Sequence, residues 1–187
     1  MTARLDALDP GWARFDELVE HWNTRSNLVG AKEPRGRAEI LFADAVILED
    51  RELLPEGARI VDVGAGAGAP AIPLLLSRPD LTATLIEPRR LRVAFLRTAI
   101  GALELADRCT VLEQKLGTSP PAGAPFDVAL SRATFPPAKW LQRAKGLAPL
   151  AVVMVAGEPL PDGKRIATRR YELPYSGKPR ALGLYRI

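Results

Sequence analysis

Hydrophobic side chains recur at Trp12, Phe15, Leu18, Val19 and Trp22, a spacing that puts them on one face of a helix over residues 10–27. Asp9 and Pro10 supply a cap and a first-turn proline, and Asn27 marks the exit. Gly30 to Arg37 shows no such period, is rich in Gly, Pro, Lys and Arg, and reads as a loop. A second helix follows over Ala38–Leu48, with Ile40, Leu41, Ala45 and Leu48 on its apolar side. Leu53 to Gly57 then breaks the chain and the pattern changes. Short apolar runs at Ile60–Val63, Leu81–Ile86, Cys109–Leu112, Phe126–Leu130 and Ala151–Val155 read as strands. Helical segments at Ala71–Leu76, Arg89–Leu105 and Ala138–Leu147 alternate with them, and Arg165–Leu173 and Ala181–Ile187 form an antiparallel pair across the Pro/Gly-rich stretch 174–179. This order predicts an α/β fold: a mostly parallel seven-stranded sheet wrapped by helices, with an antiparallel C-terminal hairpin and N-terminal helices in front. At 187 residues, 47% of them hydrophobic, one core is expected. We read 1–187 as a single domain, with a helical cap over 1–52 and the α/β core over 58–187.

Composition narrows the chemistry. The formal net charge is +4 and the pI near 9.5, compatible with a polyanionic partner but too mild to require one. One cysteine, Cys109, and one histidine, His21, exclude disulfide frameworks and Cys or His metal clusters and disfavour His-dependent triads, so no metal is expected. No leading apolar segment resembles a signal peptide and no run reaches membrane-spanning length, which predicts a soluble, cytoplasmic protein with no membrane partner, and a monomer.

The chemistry concentrates in Arg59 to Pro70, where the run Ile60, Val61, Val63 ends in three alternating glycines, Gly64, Gly66 and Gly68. Glycine permits a sharp turn and a close ligand. A dinucleotide site wants G-x-G-x-x-G and an acid about 20 residues on. Here the glycines run G-x-G-x-G, Asp62 precedes them and Glu87 ends the second predicted strand. Two carboxylates suit a cationic sulfonium better than a diphosphate, and the pattern is that of an S-adenosylmethionine site, with Glu87 accepting hydrogen bonds from the ribose hydroxyls. The plain alternative is a tight strand-to-helix connection with Glu87 capping a helix.

Several separated blocks resemble the bacterial small-subunit ribosomal RNA guanine-7 methyltransferases, the glucose-inhibited division protein B family. His21-Trp22-Asn23 with Asn27-Leu28 is similar to its W-N-x-x-x-N-L, and Asp44 stands where its second helix carries an Asp. Val61 to Leu74 resembles its D-V-G-x-G-A-G-x-P-G-I-P-L, Arg92 to Leu96 its K-R-x-x-F-L, and Phe126-Asp127-Val128 with Ser131-Arg132-Ala133 its F-D-x-x-x-S-R-A. The chain departs from the family at Leu41, Ala71, Lys115-Leu116-Gly117 (for R-A-E), Ala148-Pro149-Leu150 (for P-G-G) and Ala156 (for Lys).

The resemblance implies a Rossmann-like S-adenosylmethionine-dependent methyltransferase fold and methyl transfer to the 7-position of a guanine in 16S ribosomal RNA, as naked RNA or in a precursor small-subunit particle. It implies that Asp62, Gly64, Ala65, Gly66, Gly68, Glu87, Pro88, Lys115, Leu116 and Ser131 hold the cofactor. Arg132 is the candidate catalytic residue, steering RNA phosphate or the target base, and Asn23, Asn27 and Lys32 are candidate substrate contacts. Bland alternatives stand beside these roles: Arg132 in a local ion pair, Asn23 and Asn27 ordering a loop, Trp12 and Trp22 as core. Lys32, Arg35 and Arg37, like Arg89, Arg90, Arg92 and Arg97, form either an RNA-facing cluster or a solvated face. A methyltransferase acting on a small molecule or another RNA, and a non-catalytic cofactor- or RNA-binding paralogue, remain the other functional readings.

Overall fold

Three helices precede the sheet in the computed structural model, which describes residues 1–187: α1 (Thr2–Asp6), α2 (Pro10–Ser26) and α3 (Pro34–Leu48). Asp9 caps α2 by accepting the Trp12 N–H at 3.0 Å, and Asn27 ends it in the left-handed region at φ 39°. The short α1 has too few residues to show a period. α3 starts at Pro34, four residues earlier than its apolar pattern predicts, because proline fits the first helical turn, where no N–H is needed. That overturns one expectation: Arg37 is not part of an exposed basic loop. It is buried, with its guanidinium forked onto Asp16 at 2.6 and 2.8 Å and Glu20 at 3.2 Å. Trp12 is core, stacked on Phe42 at 4.7 Å with its indole N–H donating to the Pro73 carbonyl at 2.9 Å.

The sheet comprises β1 (Arg59–Val63), β2 (Thr82–Ile86), β3 (Cys109–Leu112), β4 (Val128–Ser131), β5 (Leu150–Val155), β6 (Arg165–Glu172) and β7 (Pro179–Arg186). The intervening helices are α4 (Ala71–Ser77), α5 (Arg90–Ala102) and α6 (Pro137–Ala144). The strand order is β3-β2-β1-β4-β5-β7-β6; β1 to β5 are parallel and β7 runs antiparallel between β5 and β6. Helices cover both faces of the parallel part, so its strands read as nearly continuous apolar runs. β4 lies two residues later than Phe126, since Ile60 pairs with Val128.

One buried cluster runs from Trp12, Phe15 and Phe42 through Ile60 and Leu85 to Leu182, so the N-terminal helices and the sheet share a core. A second, on the other face, joins Val61, Val63, Trp140 and Val153. The chain builds outward from β1 to β3 and then returns to lay β4 on the other side of β1. Such a reversal leaves a crevice at the carboxyl ends of the two strands, where open α/β sheets bind ligands. No helix is long and apolar enough to cross a membrane.

Candidate functional site

The glycine turn leaves β1 at this crevice. Gly64, Gly66 and Gly68 have φ of +76°, +58° and +79°, a region that a side chain rarely tolerates. The Gly64 and Ala65 N–H groups donate to the Ile86 carbonyl at 2.8 and 3.2 Å, and the Gly68 N–H donates to the Ala65 carbonyl at 2.7 Å. Glu87 is buried beside the turn. Its Oε2 accepts the Gly66 N–H and its Oε1 the Arg89 N–H, both at 2.9 Å, so the carboxylate ties the turn to the start of α5 across the exposed Pro88. Each oxygen keeps lone pairs for a further donor.

Asp62 is the unusual group. It is 1% exposed, and its Oδ2 has no hydrogen-bond partner. Burial pushes its pKa up to about 7, with Arg132 pulling it down and Glu87 pushing it further up. A buried carboxylate without a partner is costly unless a ligand supplies one. Arg92 stands over the same turn, since a Cβ built on Gly66 would lie 3.6 Å from its Nη1. S-adenosylmethionine fits this donor and acceptor set: Asp62 answers a cation, the free lone pairs of Glu87 a ribose diol, and Arg92 an amino-acid carboxylate.

The segment after β4 closes the other side. The buried Ser131 hydroxyl donates to the Val63 carbonyl at 2.8 Å, lashing β4 to β1. Arg132 donates through Nη1 to the Ile40 carbonyl at 2.6 Å and to Asp44 at 3.0 Å, the local pairing that its sequence left open. Its Nε and Nη2 have no protein partner. Asp44 also accepts the Tyr171 hydroxyl, and burial together with this carboxylate holds the phenol well above its ordinary pKa. α3, β4 and β6 thus meet at one carboxylate. Ala133 then takes φ +54°, and Thr134 folds back on the turn, where a Cβ on Gly64 would fall 2.2 Å from its Oγ1. A left-handed non-glycine residue here is local strain held by its surroundings.

A cavity of about 340 Å³ opens under this segment, at the carboxyl ends of β4 and β5; Ser131, which bonds to β1, stands in its wall, and the glycines of the turn do not. Its walls include Arg132, Phe135, Trp140 and the carboxylates of Glu39, Asp44 and Glu158. Phe135 stacks on Trp140 at 5.9 Å, and the Trp140 indole N–H donates to the Val152 carbonyl at 2.9 Å, which fixes the aromatic wall.

The expected cofactor residues Asp62, Gly64, Ala65, Gly66, Gly68, Glu87 and Pro88 therefore come together around the turn. Lys115 is exposed beyond β3 and Leu116 is half-buried against the second core cluster. Asn23, a candidate substrate contact, is engaged within the chain. Its amide nitrogen donates to the Val29 carbonyl and its oxygen accepts the Val29 N–H, both at 3.0 Å, which orders the segment after α2. Asn27 is the exposed C-cap, and Lys32 is exposed with its carbonyl accepting from Arg37. None of these three lines the cavity, whereas Arg132 does. Thr134, Glu39, Tyr171, Glu158 and Arg180 were missed, because no period or motif marks them; Thr134, directly after Ser-Arg-Ala, had the best signal.

Residues 11–149 match the family described as GidB, rRNA small subunit methyltransferase G. The ribosomal RNA small subunit methyltransferase G of Frankia alni is 38% identical over 128 residues, covering 66% of this chain and 47% of that protein. That of Alkalilimnicola ehrlichii is 40% identical over 119 residues, covering 62% and 50%. The chain thus spans about half the length of these relatives. Among solved structures, a putative O-methyltransferase from Klebsiella pneumoniae aligns with a TM-score of 0.64 at 15% identity, over 100% of this chain and 96% of that one. A SAM-dependent methyltransferase from Thiobacillus denitrificans, in complex with S-adenosyl-L-homocysteine, aligns at 0.50 and 19% identity over 65% and 52%. These structural likenesses carry the Rossmann-like methyltransferase fold; the sequence match carries the lineage. The chain belongs to the GidB family, rRNA small subunit methyltransferase G.

Proposed function

We propose that this chain transfers a methyl group from S-adenosylmethionine to the 7-nitrogen of a guanine in 16S ribosomal RNA, free or in a precursor small-subunit particle. It does so as a cytoplasmic, single-domain monomer. The observation that carries the reading is the partnerless buried carboxylate of Asp62 beneath a turn of three left-handed glycines. The family, rRNA small subunit methyltransferase G, supports the substrate.

When bound, S-adenosylmethionine supplies an electrophilic methyl on a sulfonium. The guanine 7-nitrogen donates its lone pair to form the N–C bond as the C–S electron pair returns to sulfur, and no proton moves. No strong base is needed; the protein's work is alignment and charge. Asp62, Glu87 and Arg92 fix the donor, and Ser131 locks β4 to β1 so that the acceptor cavity keeps its distance from the turn. The purine gains a positive charge during transfer. Glu39 and Glu158 on the cavity wall, neither of them paired with a cation, stabilise that charge as it develops, while Asp44 is spent on Arg132 and Tyr171.

Arg132, held by Asp44 on one edge, offers Nε and Nη2 to an RNA phosphate or to the base. Arg132→Lys keeps the charge but loses the fork. Its methyl-transfer kcat/KM is expected to fall on the order of 100-fold, a loss of alignment. Calorimetry should find cofactor affinity unchanged, and a parallel loss of cofactor binding would contradict the assignment.

The reading is tested by calorimetric titration with S-adenosylmethionine and S-adenosylhomocysteine. Saturable 1:1 binding is expected, weakened in Glu87→Ala. Absence of binding to the wild-type chain, or equal affinity in Glu87→Ala, would refute the cofactor assignment.

A further inference from the structure

Three carboxylates line the cavity, and they differ in what they have free. Asp44 has both oxygens engaged, by Tyr171 and Arg132. Glu39 carries the Tyr175 and Ser176 N–H groups on one oxygen, at 2.5 and 2.7 Å, and is buried. Glu158 is exposed on the rim; its Oε2 accepts the Ala156 N–H at 2.9 Å and its Oε1 has no protein partner. Arg180 lines the same cavity, and its guanidinium bonds only the carbonyl of its neighbour Pro179, at 3.0 Å. Glu158 and Arg180 also border a second hollow of about 490 Å³, where Arg170, exposed and without a carboxylate partner, joins them. All three residues lie beyond the stretch 11–149 that matches the family.

The sheet order sets a direction. Moving from the glycine turn over β1, one meets the end of β4, then β5 leading to Glu158, then β7 with Arg180. β5 lies two strand spacings from β1, about 10 Å. A guanine whose 7-nitrogen faces β1 must present its opposite side, the N1–H and 2-amino donors, toward β5 and β7. A carboxylate with a free oxygen is the acceptor those donors require, and adenine has no such pair of donors. Methylation at the 7-position makes N1–H more acidic, so this hydrogen bond strengthens as the methyl is transferred.

We propose that Glu158 is the specificity-determining residue that reads the N1–H and 2-amino edge of an extruded guanine, while Arg180 holds the flanking phosphate where the cavity opens toward Arg170. This rests on the guanine-methylating reading above and adds the residues that select the base. Extruding a nucleotide into a fitted pocket and reading its edge is the general solution for chemistry on a base. The cavity, about 340 Å³, lies in the range of about 300–1,000 Å³ typical of small-ligand sites.

The test uses a labelled nine-nucleotide single-stranded RNA with one central guanosine, and versions with inosine or adenosine there. Binding is read by fluorescence anisotropy in the presence of S-adenosylhomocysteine. The wild-type chain is expected to prefer guanosine over adenosine by about tenfold, with inosine between. Glu158→Ala should bind all three within about twofold, with its melting temperature and S-adenosylhomocysteine affinity unchanged, because Glu158 is exposed. Glu158→Gln, which retains one acceptor oxygen, should keep part of the preference. Arg180→Ala should weaken all three alike and lower the slope of log K against log salt by about one. Equal wild-type binding to the three RNAs, or an undiminished preference in Glu158→Ala, would overturn the proposal. A guanosine preference that Glu158→Ala abolishes, in a protein that transfers no methyl, would overturn the methyl-transfer reading and leave this one standing.

Discussion

Gly64→Ala is expected to weaken S-adenosylhomocysteine binding by about 100-fold or more and to lower stability by about 2–3 kcal/mol. Two independent effects converge on this residue. Its φ of +76° strains any side chain, and the new Cβ would fall 2.2, 2.7 and 2.9 Å from Thr134 Oγ1, Cγ2 and Cβ. The clash reaches the Cβ root of the threonine as well as its hydroxyl and methyl tips, so a side-chain rotation alone does not relieve it and the segment after β4 must move off the turn. Gly57 supplies the control. Its φ is +70°, yet nothing lies within 4 Å of a Cβ built there. Gly57→Ala should show backbone strain of about 1 kcal/mol and unchanged cofactor binding. Melting curves and calorimetry on the two variants check this pair; equal cofactor affinities would show that the closure over Gly64 does not matter to the site.

Asp62→Asn is expected to stabilise the cofactor-free protein at pH 8 while weakening its cofactor affinity about tenfold or more. Burial raises the Asp62 carboxyl from 3.8 to about 7 in the folded state. Folding therefore takes up a proton between these values. The resulting contribution to stability is fully present below about pH 4 and lost as the pH rises through 7, and it is on the order of 4 kcal/mol. Asparagine has no charge to bury and escapes that loss. A cation placed beside Asp62 favours its ionised form, so cofactor binding should release about three-quarters of a proton near pH 6.5 and should tighten from pH 6 to pH 8. Denaturant unfolding at both pH values, and calorimetry in buffers of different ionisation enthalpy, read the two effects. A wild-type stability that rises between pH 4 and 7 no less than that of Asp62→Asn would contradict the assignment.

What the sequence disclosed follows the range of the interactions involved. The glycine turn was legible because its cause is local: three alternating left-handed positions within five residues favour glycine, and acids near strand ends are placed by strand period alone. Asp62 and Glu87 were legible for the same reason. Arg37 was misplaced because a Pro, Gly and Arg stretch resembles a loop, while the carboxylates of Asp16 and Glu20 that bury it belong to the preceding helix. Asn23 was ambiguous because closing a short loop calls for the same amide that would bind a base. The Arg132, Asp44 and Tyr171 network joins residues 88 and 127 positions apart, and no periodicity could announce it. Glu158 and Arg180 meet at one cavity only because β7 inserts antiparallel beside β5.

The most direct test is to incubate the chain with methyl-labelled S-adenosylmethionine and small-subunit RNA or precursor particles lacking this modification, then digest the RNA to nucleosides. The label should appear in 7-methylguanosine, at one position of the 16S RNA, and be lost in Gly64→Ala and strongly reduced in Arg132→Lys. Unlabelled RNA from a preparation that binds the cofactor, or label in any other nucleoside, would contradict methyl transfer to guanine as the function of this site.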